Sequence, residues 1–216
     1  MSYLCRGLFR RLCMKAEEKE GGSGFSYIIR KATEEDIDQV MEVNLASLPE
    51  NYWYSFYVHV LNEWGDAFLV AESEGKIIGY IMNRVEETYD NVLVGLESEL
   101  PEGTGREGGK REGLLEALRR RFSGSARVGH VISIAVLAEY RRRGVGSALM
   151  KEAIDVLSSK YDVDAVYLEV RVSNEPAIRM YEKFGFKKVR IIKGYYRDGE
   201  DAYVMVKRLK PVVDEK

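Results

Sequence analysis

The sequence of 216 residues contains only two cysteines, Cys5 and Cys13, and no long apolar run. The cysteines are eight positions apart in a segment that we expect to be helical. That spacing separates them by about 12 Å, too far for a disulfide. No stretch reaches eighteen consecutive apolar residues, so the sequence offers no candidate for a membrane-spanning helix. These absences favour a cytoplasmic protein that neither crosses a membrane nor depends on disulfides.

The sequence also lacks a strong net charge. It has 33 Lys and Arg against 35 Asp and Glu, for a formal charge of −2. Such a balance provides no overall field for nucleic acid or an anionic membrane, so any basic binding site has to be local. With 45% hydrophobic residues the chain has enough apolar side chains for one sizeable core. We therefore expect a single main domain.

The most informative pattern runs from Gly129 to Tyr161. Its first part is apolar except for Ser133, which predicts a central strand buried on both faces. A basic, glycine-containing loop follows at residues 141–146, and apolar residues then recur at helical spacing. Glycines let the backbone approach a ligand closely, and the free amides at a helix N-terminus attract an anion. Three consecutive arginines add permanent charge, so the pattern favours a pyrophosphate ligand.

Two other types of phosphate-binding loop do not fit this segment. A Walker loop requires Lys followed by Ser or Thr after its last glycine, and a Rossmann fingerprint requires three spaced glycines with an acidic residue about twenty positions later. Neither pattern is present. For the loop taken alone, a solvated, arginine-rich turn remains the open alternative.

The pattern Arg-x-x-Gly-x-Gly between a buried strand and an amphipathic helix resembles the acetyl-CoA loop of the GNAT acetyltransferases. Three further segments resemble the NatA-type N-terminal acetyltransferases of the archaeal, RimI-like branch. They are LPENY at 48–52, VRVSNEPA at 170–177 and GYYRDGEDAY at 194–203. The resemblance implies an α/β GNAT fold, with a mixed, mostly antiparallel sheet, splayed central strands and helices on both faces.

We expect the GNAT domain to span residues 25–209. A basic N-terminal extension and linker would occupy residues 1–24, a surface insertion between the third and fourth strands residues 88–127, and a polar tail residues 210–216. The extension and the arginine-rich insertion are candidates for contacting the ribosome or an acidic partner, although such charge runs also occur on solvated faces. An alternative hypothesis for the extension is that translation begins at Met14.

Sequence patterns also predict the other elements of the domain. Residues 19–26 form a linker that overlaps the first strand, residues 25–30. A helix capped by Thr33 follows and ends before Pro49. An aromatic-rich helix then covers residues 53–64. A hairpin joins 67–72 to 76–86 through a Glu74-Gly75 turn, and 164–172 is a strand with one apolar and one polar face. A helix capped at 173–176 ends at Phe184, and 186–193 and 201–209 are the last strands. Trp53 and Phe56 are expected to pack in the core.

Acyl transfer from a thioester to an amine requires a neutral amine, a polarised carbonyl and a proton for the leaving thiolate. An α-amine with a pKa near 8 is about 10 to 15% neutral at pH 7, whereas a lysine side chain is only about 0.04% neutral. An α-amine therefore needs only a modest base. His130 and Glu169 are the candidates, because the resemblance places both around the amine; on residue type alone a structural role is the more common one for a histidine such as His130. Two ligands are too few for a typical zinc site, so we expect no metal.

The other site residues follow from the resemblance alone. Glu50 and Tyr52 border the peptide groove, where Glu50 contacts the substrate or organises the site, and Tyr195 and Tyr196 match the peptide-binding tyrosines. Tyr181 is also the candidate acid for the thiolate. The implied contacts to acetyl-CoA are Ile134, Ala135, Val136, Arg141, Arg142, Arg143, Gly144, Val145, Gly146, Ser147, Asn174 and Tyr181.

The resemblance implies an enzyme that transfers acetyl from acetyl-CoA to the α-amino group of protein N-termini. The amine would attack directly, with Glu and His assisting its deprotonation. We expect a monomer, with the ribosome or an auxiliary subunit as candidate partners. Two alternatives stay open: acetylation of a lysine side chain or a small amine by the same fold, and a non-catalytic acyl-CoA-binding module.

Overall fold

The computed structural model describes residues 18–21, 25–88 and 126–210. The strands are β1 Glu18–Gly21, β2 Phe25–Lys31, β3 Leu69–Ser73, β4 Lys76–Thr88, β5 Ala126–Val136, β6 Ala165–Arg171, β7 Lys187–Ile192 and β8 Ala202–Arg208. The helices are α1 Ile37–Ser47, α2 Tyr54–Trp64, α3 Val145–Ser159 and α4 Glu175–Lys183. Among these described helices, none has the length and apolar character needed to cross a membrane.

All eight described strands form one mixed sheet in the order β1-β2-β3-β4-β5-β6-β8-β7. Only the pairing of β5 with β6 is parallel. Helices α3 and α4 cover one face, where Leu149, Ile154 and Ile178 pack against the sheet. Helices α1 and α2 cover the other face, with Val40 and Val60 in a second core cluster. The predicted GNAT architecture, with helices on both faces of the sheet, is confirmed.

The central strands splay as the resemblance implies. Strand β5 pairs with β6 only from Val128 to His130, although both strands continue beyond that point. Past His130, β5 remains paired with β4, while β6 remains paired with β8. An extra residue, Ile132, forms a bulge on β5 just after the last paired position. The two central strands therefore separate and leave an open edge on each side of the gap.

Local sequence signals explain several element boundaries. At the start of α1, the amide of Thr33 donates to Asp36 at 2.8 Å, and Arg30 also donates to that carboxylate. The β3–β4 turn uses Glu74 and Gly75, both with positive φ angles of 51° and 77°, as expected for a two-residue hairpin turn. The predicted hairpin is thus confirmed, whereas Thr33 precedes a 3₁₀ turn, Glu34–Asp36, that leads into α1, and Asp36 is the residue directly before the helix.

Two predictions about the fold were wrong in part. Residues 18–21 are not a linker, because they pair antiparallel with β2 and add a strand to the edge of the sheet. Trp53 is not in the core: it precedes α2 and is 83% exposed, whereas Phe56 does pack against the core. The predicted alternation along β6 holds, and its polar face is covered at Tyr167, which is only 6% exposed.

Several predictions fall on residues outside the described ranges. They concern residues 1–17, including both cysteines and the alternative start at Met14, residues 89–125 of the insertion, and residues 211–216 of the tail.

Candidate active site

The register of the sheet places three side chains in a row across the central strands. His130 on β5 lies opposite Arg84 on β4 and opposite Tyr167 on β6. Residues that face each other across paired strands point to the same side of the sheet, here the side of α1 and α2. The imidazole of His130 stacks on the ring of Tyr167, with centroids 4.3 Å apart and planes inclined by 8°.

Glu169 completes the predicted catalytic pair. It lies two residues beyond Tyr167 on β6, so alternation along the strand directs it to the same face. Its Oε2 atom is 2.8 Å from Nε2 of His130, and both side chains are largely buried. The contact forms where β5 and β6 stop pairing, at the beginning of the gap between them. The structure thus brings the two candidate base residues together.

The loop between α1 and α2 brings Tyr52 close to this pair. The hydroxyl of Tyr52 donates to the carbonyl oxygen of Ile132 at 3.5 Å, and its ring stacks on Phe56 at 4.9 Å. Burial raises the pKa of the Tyr52 hydroxyl, and the nearby charges of Glu50 and Glu169 raise it further. Tyr52 therefore stays protonated at neutral pH and is a hydrogen-bond donor at the side of the site.

Arg171 holds Glu50 in place, a role that the sequence did not reveal. Its guanidinium donates to Glu50, to Asp198 at 2.7 Å and to Glu200 at 2.8 Å. It also lies over the ring of Tyr196, 3.9 Å from the centroid. Arg171 therefore ties the α1–α2 loop to the β7–β8 hairpin. Two signals in the sequence were available: the alternation that puts Arg171 on the face of Glu169, and the acidic run around Asp198.

The two hairpin tyrosines lie beside these residues. Tyr195 and Tyr196 contact each other edge to face, with ring centroids 5.1 Å apart. Burial raises the pKa of Tyr195 to about 12, with further contributions from the charge of Glu169 and from Tyr52. Burial and the charge of Glu50 likewise raise the pKa of Tyr196 well above its usual range. The predicted peptide-binding tyrosines thus share one neighbourhood with the predicted base pair.

The glycine loop has the geometry of an anion site. Gly144 adopts a left-handed conformation with φ of 87° immediately before α3. The first intrahelical hydrogen bond runs from the amide of Ala148 to the carbonyl of Gly144, so the amides of residues 145–147 have no partner within the helix. Arg141 donates from Nε to the carbonyl of Val136 at 2.8 Å, which fixes the loop to the end of β5. Arg143 lies over the ring of Phe25 at 5.1 Å.

The backbone at the end of β5 points into the gap between the central strands. The amide of Leu137 donates to Ile78 on β4. Because N–H directions alternate along a strand, the amides of Ile134 and Val136 face away from β4, toward the gap, whereas the amide of Ala135 faces β4. These two amides are therefore available to a ligand that enters between the strands.

The two cofactor-arm candidates on α4 differ in their surroundings. The side chain of Asn174 caps α4 by accepting from the amide of Ala177 at 3.3 Å. Tyr181 is 6% exposed and packs against Phe186, with ring centroids 6.0 Å apart. Burial raises the pKa of the Tyr181 hydroxyl well above its usual range. The hydroxyl therefore holds its proton at neutral pH, as an acid must. Within residues 18–21, 25–88 and 126–210, no three His, Cys, Asp or Glu side chains gather as a metal site.

Comparison with known proteins shows the family of the chain. The Acetyltransferase (GNAT) family model matches residues 32–186. The N-alpha-acetyltransferase of Saccharolobus solfataricus is 42% identical over 91% of this chain and all of its own length. The catalytic subunit of the N-terminal acetyltransferase A complex of Arabidopsis thaliana is 32% identical over 84% of this chain and 78% of its own.

Solved structures agree as well. Ard1 from Thermoplasma volcanium is similar with a TM-score of 0.63 and 26% identity, covering 86% of this chain and 99% of that one. Naa20 of Chaetomium thermophilum, in complex with a bisubstrate analogue, has a TM-score of 0.63 and 28% identity, with coverage of 87% and 90%. The chain therefore belongs to the GNAT acetyltransferase family and, within it, to the N-α-acetyltransferases of the archaeal Ard1 type.

Proposed function

We propose that this enzyme transfers the acetyl group of acetyl-CoA to the α-amino group of protein N-termini, and that His130 and Glu169 remove the proton from the amine. The observation that carries this proposal is the 2.8 Å contact between Nε2 of His130 and Oε2 of Glu169. This pair lies at the beginning of the gap between β5 and β6. A base at that position is within reach of an acyl group laid along the open edge of β5.

Acetyl-CoA would bind through two sets of backbone amides. The diphosphate would lie on the amides of Val145, Gly146 and Ser147, with the arginines at 141–143 supplying positive charge. The pantetheine arm would extend beside β5 and pair with the amides of Ile134 and Val136, in the manner of an added strand. The hydrogen bond from Arg141 to Val136 supports this arrangement, because it joins the two sets of amides.

The reaction is a direct transfer. The amine nitrogen attacks the thioester carbonyl, the C–N bond forms, and the amide of Val136 stabilises the developing oxyanion. The His130–Glu169 pair takes the proton that the amine loses. The C–S bond then breaks, the thiolate accepts a proton from the hydroxyl of Tyr181, and solvent reprotonates Tyr181.

The substrate chain would bind between the α1–α2 loop and the β7–β8 hairpin. Tyr52, Tyr195 and Tyr196 would flank the first residues of the peptide, and Glu50 would contact the substrate or organise the site. The contact between Glu50 and Arg171 supports this role, because it holds the loop at a fixed distance from the hairpin. Glu50 thus remains a candidate catalytic or substrate-binding carboxylate.

Peptides with free and blocked N-termini test the proposal. One peptide carries a free α-amine and no lysine, and its partner carries a blocked N-terminus and one lysine. We expect turnover only of the first, and a loss of kcat of about 10²-fold or more in Glu169→Gln and in His130→Gln. Turnover of the blocked peptide alone would establish the lysine activity instead. Binding of acetyl-CoA without turnover of either peptide would indicate a non-catalytic module.

The same assay addresses the partners. We expect a monomer in the cytoplasm, with the ribosome or an auxiliary subunit as candidate partners. The similar NatB and NatC structures are of complexes. Sedimentation of the active protein measures its oligomeric state. Activity that appears only after ribosomes or a cell extract are added would show that a partner is required.

A further inference from the structure

Both the ring and the hydroxyl of Tyr167 have specific contacts, beside the proposed base. Its ring is 6% exposed and lies flat against the imidazole of His130. Its hydroxyl donates to Oε1 of Glu86, and Oε2 of the same carboxylate is 3.1 Å from Nε of Arg84. Burial raises the pKa of the Tyr167 hydroxyl well above its usual range, and the hydrogen bond to Glu86 raises it further. The hydroxyl therefore remains a donor to Glu86 throughout the neutral range.

The register of the sheet explains why these groups meet. Arg84, His130 and Tyr167 occupy one row across β4, β5 and β6. Glu86 is two residues from Arg84 on the same strand, so it points to the same face in the next row. The residue between Glu86 and β6 in that row is Val128, whose short side chain lets the carboxylate reach the tyrosine hydroxyl. Three side chains, Arg84 and Glu86 on β4 and Tyr167 on β6, thus lie beside the imidazole of His130 on β5.

The contact with Glu169 determines which nitrogen of His130 carries the proton. An ionised carboxylate can only accept hydrogen bonds, so Nε2 of a neutral imidazole has to be protonated. The other nitrogen, Nδ1, is buried and has no hydrogen-bond partner among the described residues. Nδ1 therefore carries the lone pair of the neutral ring and is shielded by its neighbours. A rotation of the ring by half a turn about the Cβ–Cγ bond would put Cε1 in the place of Nε2 and break the contact with Glu169.

We propose that Tyr167 is a positioning residue of the acetyl transfer: its ring, fixed through its hydroxyl by Glu86 and Arg84, holds the His130 imidazole so that Nε2 donates to Glu169. This inference rests on the proposed role of the His130–Glu169 pair as the base. In the reaction the carboxylate of Glu169 takes the proton of the amine, while the Nε2–H of His130 keeps that carboxylate oriented. Tyr167 itself touches neither the amine nor the acetyl group and exchanges no proton.

The experiment combines kinetics with NMR of the imidazole. The protein has only two histidines, His59 and His130, so ¹⁵N-histidine labelling gives two sets of signals, and a His59→Gln variant assigns them. The ¹⁵N shifts distinguish the two neutral tautomers directly. The variants are Tyr167→Leu, which removes the ring, Tyr167→Phe, which removes only the hydroxyl, and Glu86→Gln. Tyr203→Leu, on the α3 face of neighbouring β8, is the matched control.

In the wild type we expect the neutral imidazole of His130 to carry its proton on Nε2. Tyr167→Leu should mix the tautomers and lower kcat by about 10- to 100-fold, with the KM for the peptide within about threefold. Tyr167→Phe and Glu86→Gln should lower kcat by about two- to fivefold, because the ring stays but loses its anchor. Tyr203→Leu should change neither kcat nor the tautomer.

Three results would overturn the inference. The first is a wild-type His130 protonated at Nδ1. The second is a folded Tyr167→Leu with an unchanged tautomer and unchanged kcat. The third applies if Tyr167→Leu does not fold: it is a kcat equal to that of the wild type in both Tyr167→Phe and Glu86→Gln. Full activity of His130→Gln is a separate failure, because it would remove the proposed base whatever Tyr167 does.

Discussion

Gly144→Ala tests the glycine loop as the diphosphate site. Gly144 has φ of 87°, and a Cβ placed on it would meet no atom within 4 Å, so the whole effect comes from the backbone. A left-handed conformation costs a residue other than glycine about 1–2 kcal/mol. Alanine also restricts the unfolded chain, which offsets about 0.4–1 kcal/mol of that cost. The net loss of about 1 kcal/mol predicts a melting temperature lower by about 2–4 °C.

The effect on acetyl-CoA binding should be larger than this change in stability suggests. Alanine allows the loop to relax out of the left-handed conformation, which turns the amides of residues 145–147 away from a bound diphosphate. Binding then has to restore the strained conformation at a cost of up to about 1–2 kcal/mol. The Kd for acetyl-CoA should therefore rise by about 5- to 30-fold, which isothermal titration calorimetry measures.

Gly75→Ala is the matched control for this prediction. Gly75 has φ of 77°, also lacks any neighbour within 4 Å of an added Cβ, and lies in the β3–β4 turn. Gly75→Ala should lower the melting temperature by about as much as Gly144→Ala does, and should leave the Kd for acetyl-CoA within about twofold of the wild type. A folded Gly144→Ala protein that binds acetyl-CoA as tightly as the wild type would refute the placement of the diphosphate on this loop.

Three further variants test other parts of the structure. Arg171→Met should lower kcat/KM for peptides about tenfold or more without changing the Kd for acetyl-CoA, because it releases the loop that carries Glu50; equal losses in both quantities would contradict that role. Tyr80→Phe removes a fully buried hydroxyl that has two hydrogen-bond partners. It should lower the free energy of unfolding, measured in urea, by about 2–4 kcal/mol, and a loss below about 0.5 kcal/mol would refute this contribution of the hydroxyl. Burial alone would raise the pKa of Asp36, but its hydrogen bonds, first among them those from Arg30, lower it. The ionised Asp36 carboxylate therefore stabilises the fold above about pH 4, and this stabilisation is lost as the pH falls through the lowered pKa. Asp36→Asn should accordingly reduce the melting temperature more at pH 7 than at pH 3.

Sequence patterns were sufficient where the signal is local. The β3–β4 turn needed only Glu74-Gly75 between two strand-like segments, and the cap of α4 needed only Asn174 followed by proline. The glycine loop was recognisable because its residues are contiguous. Each of these features depends on interactions between residues a few positions apart, and the amino-acid types carry that information directly.

The remaining features depend on contacts between distant parts of the chain. Residues 18–21 are polar and look like a linker, and only the backbone edge of β2 makes them a strand. The helical spacing of the segment after Trp53 predicts a buried face, but Trp53 lies one residue before the helix begins and points outward. Arg171 bonds with residues as far as 121 positions away, and no local pattern marks such a partner.

The bulge at Ile132 explains why one gap holds both the base pair and the amides that would bind the cofactor. Because Val131 pairs with Asn83 and Ser133 pairs with the neighbouring Met82, β5 has one residue more than β4 at this point. A bulge increases the local twist of a strand, so β5 turns away from β6 directly after His130, its last paired residue. The edge that opens there carries the amides of Ile134 and Val136, and Tyr52 bonds to the carbonyl of Ile132 on the same edge. An uninterrupted parallel ladder would have used those amides to bond β6, and the position of the bulge therefore determines both where the acyl chain would lie and which residues face it.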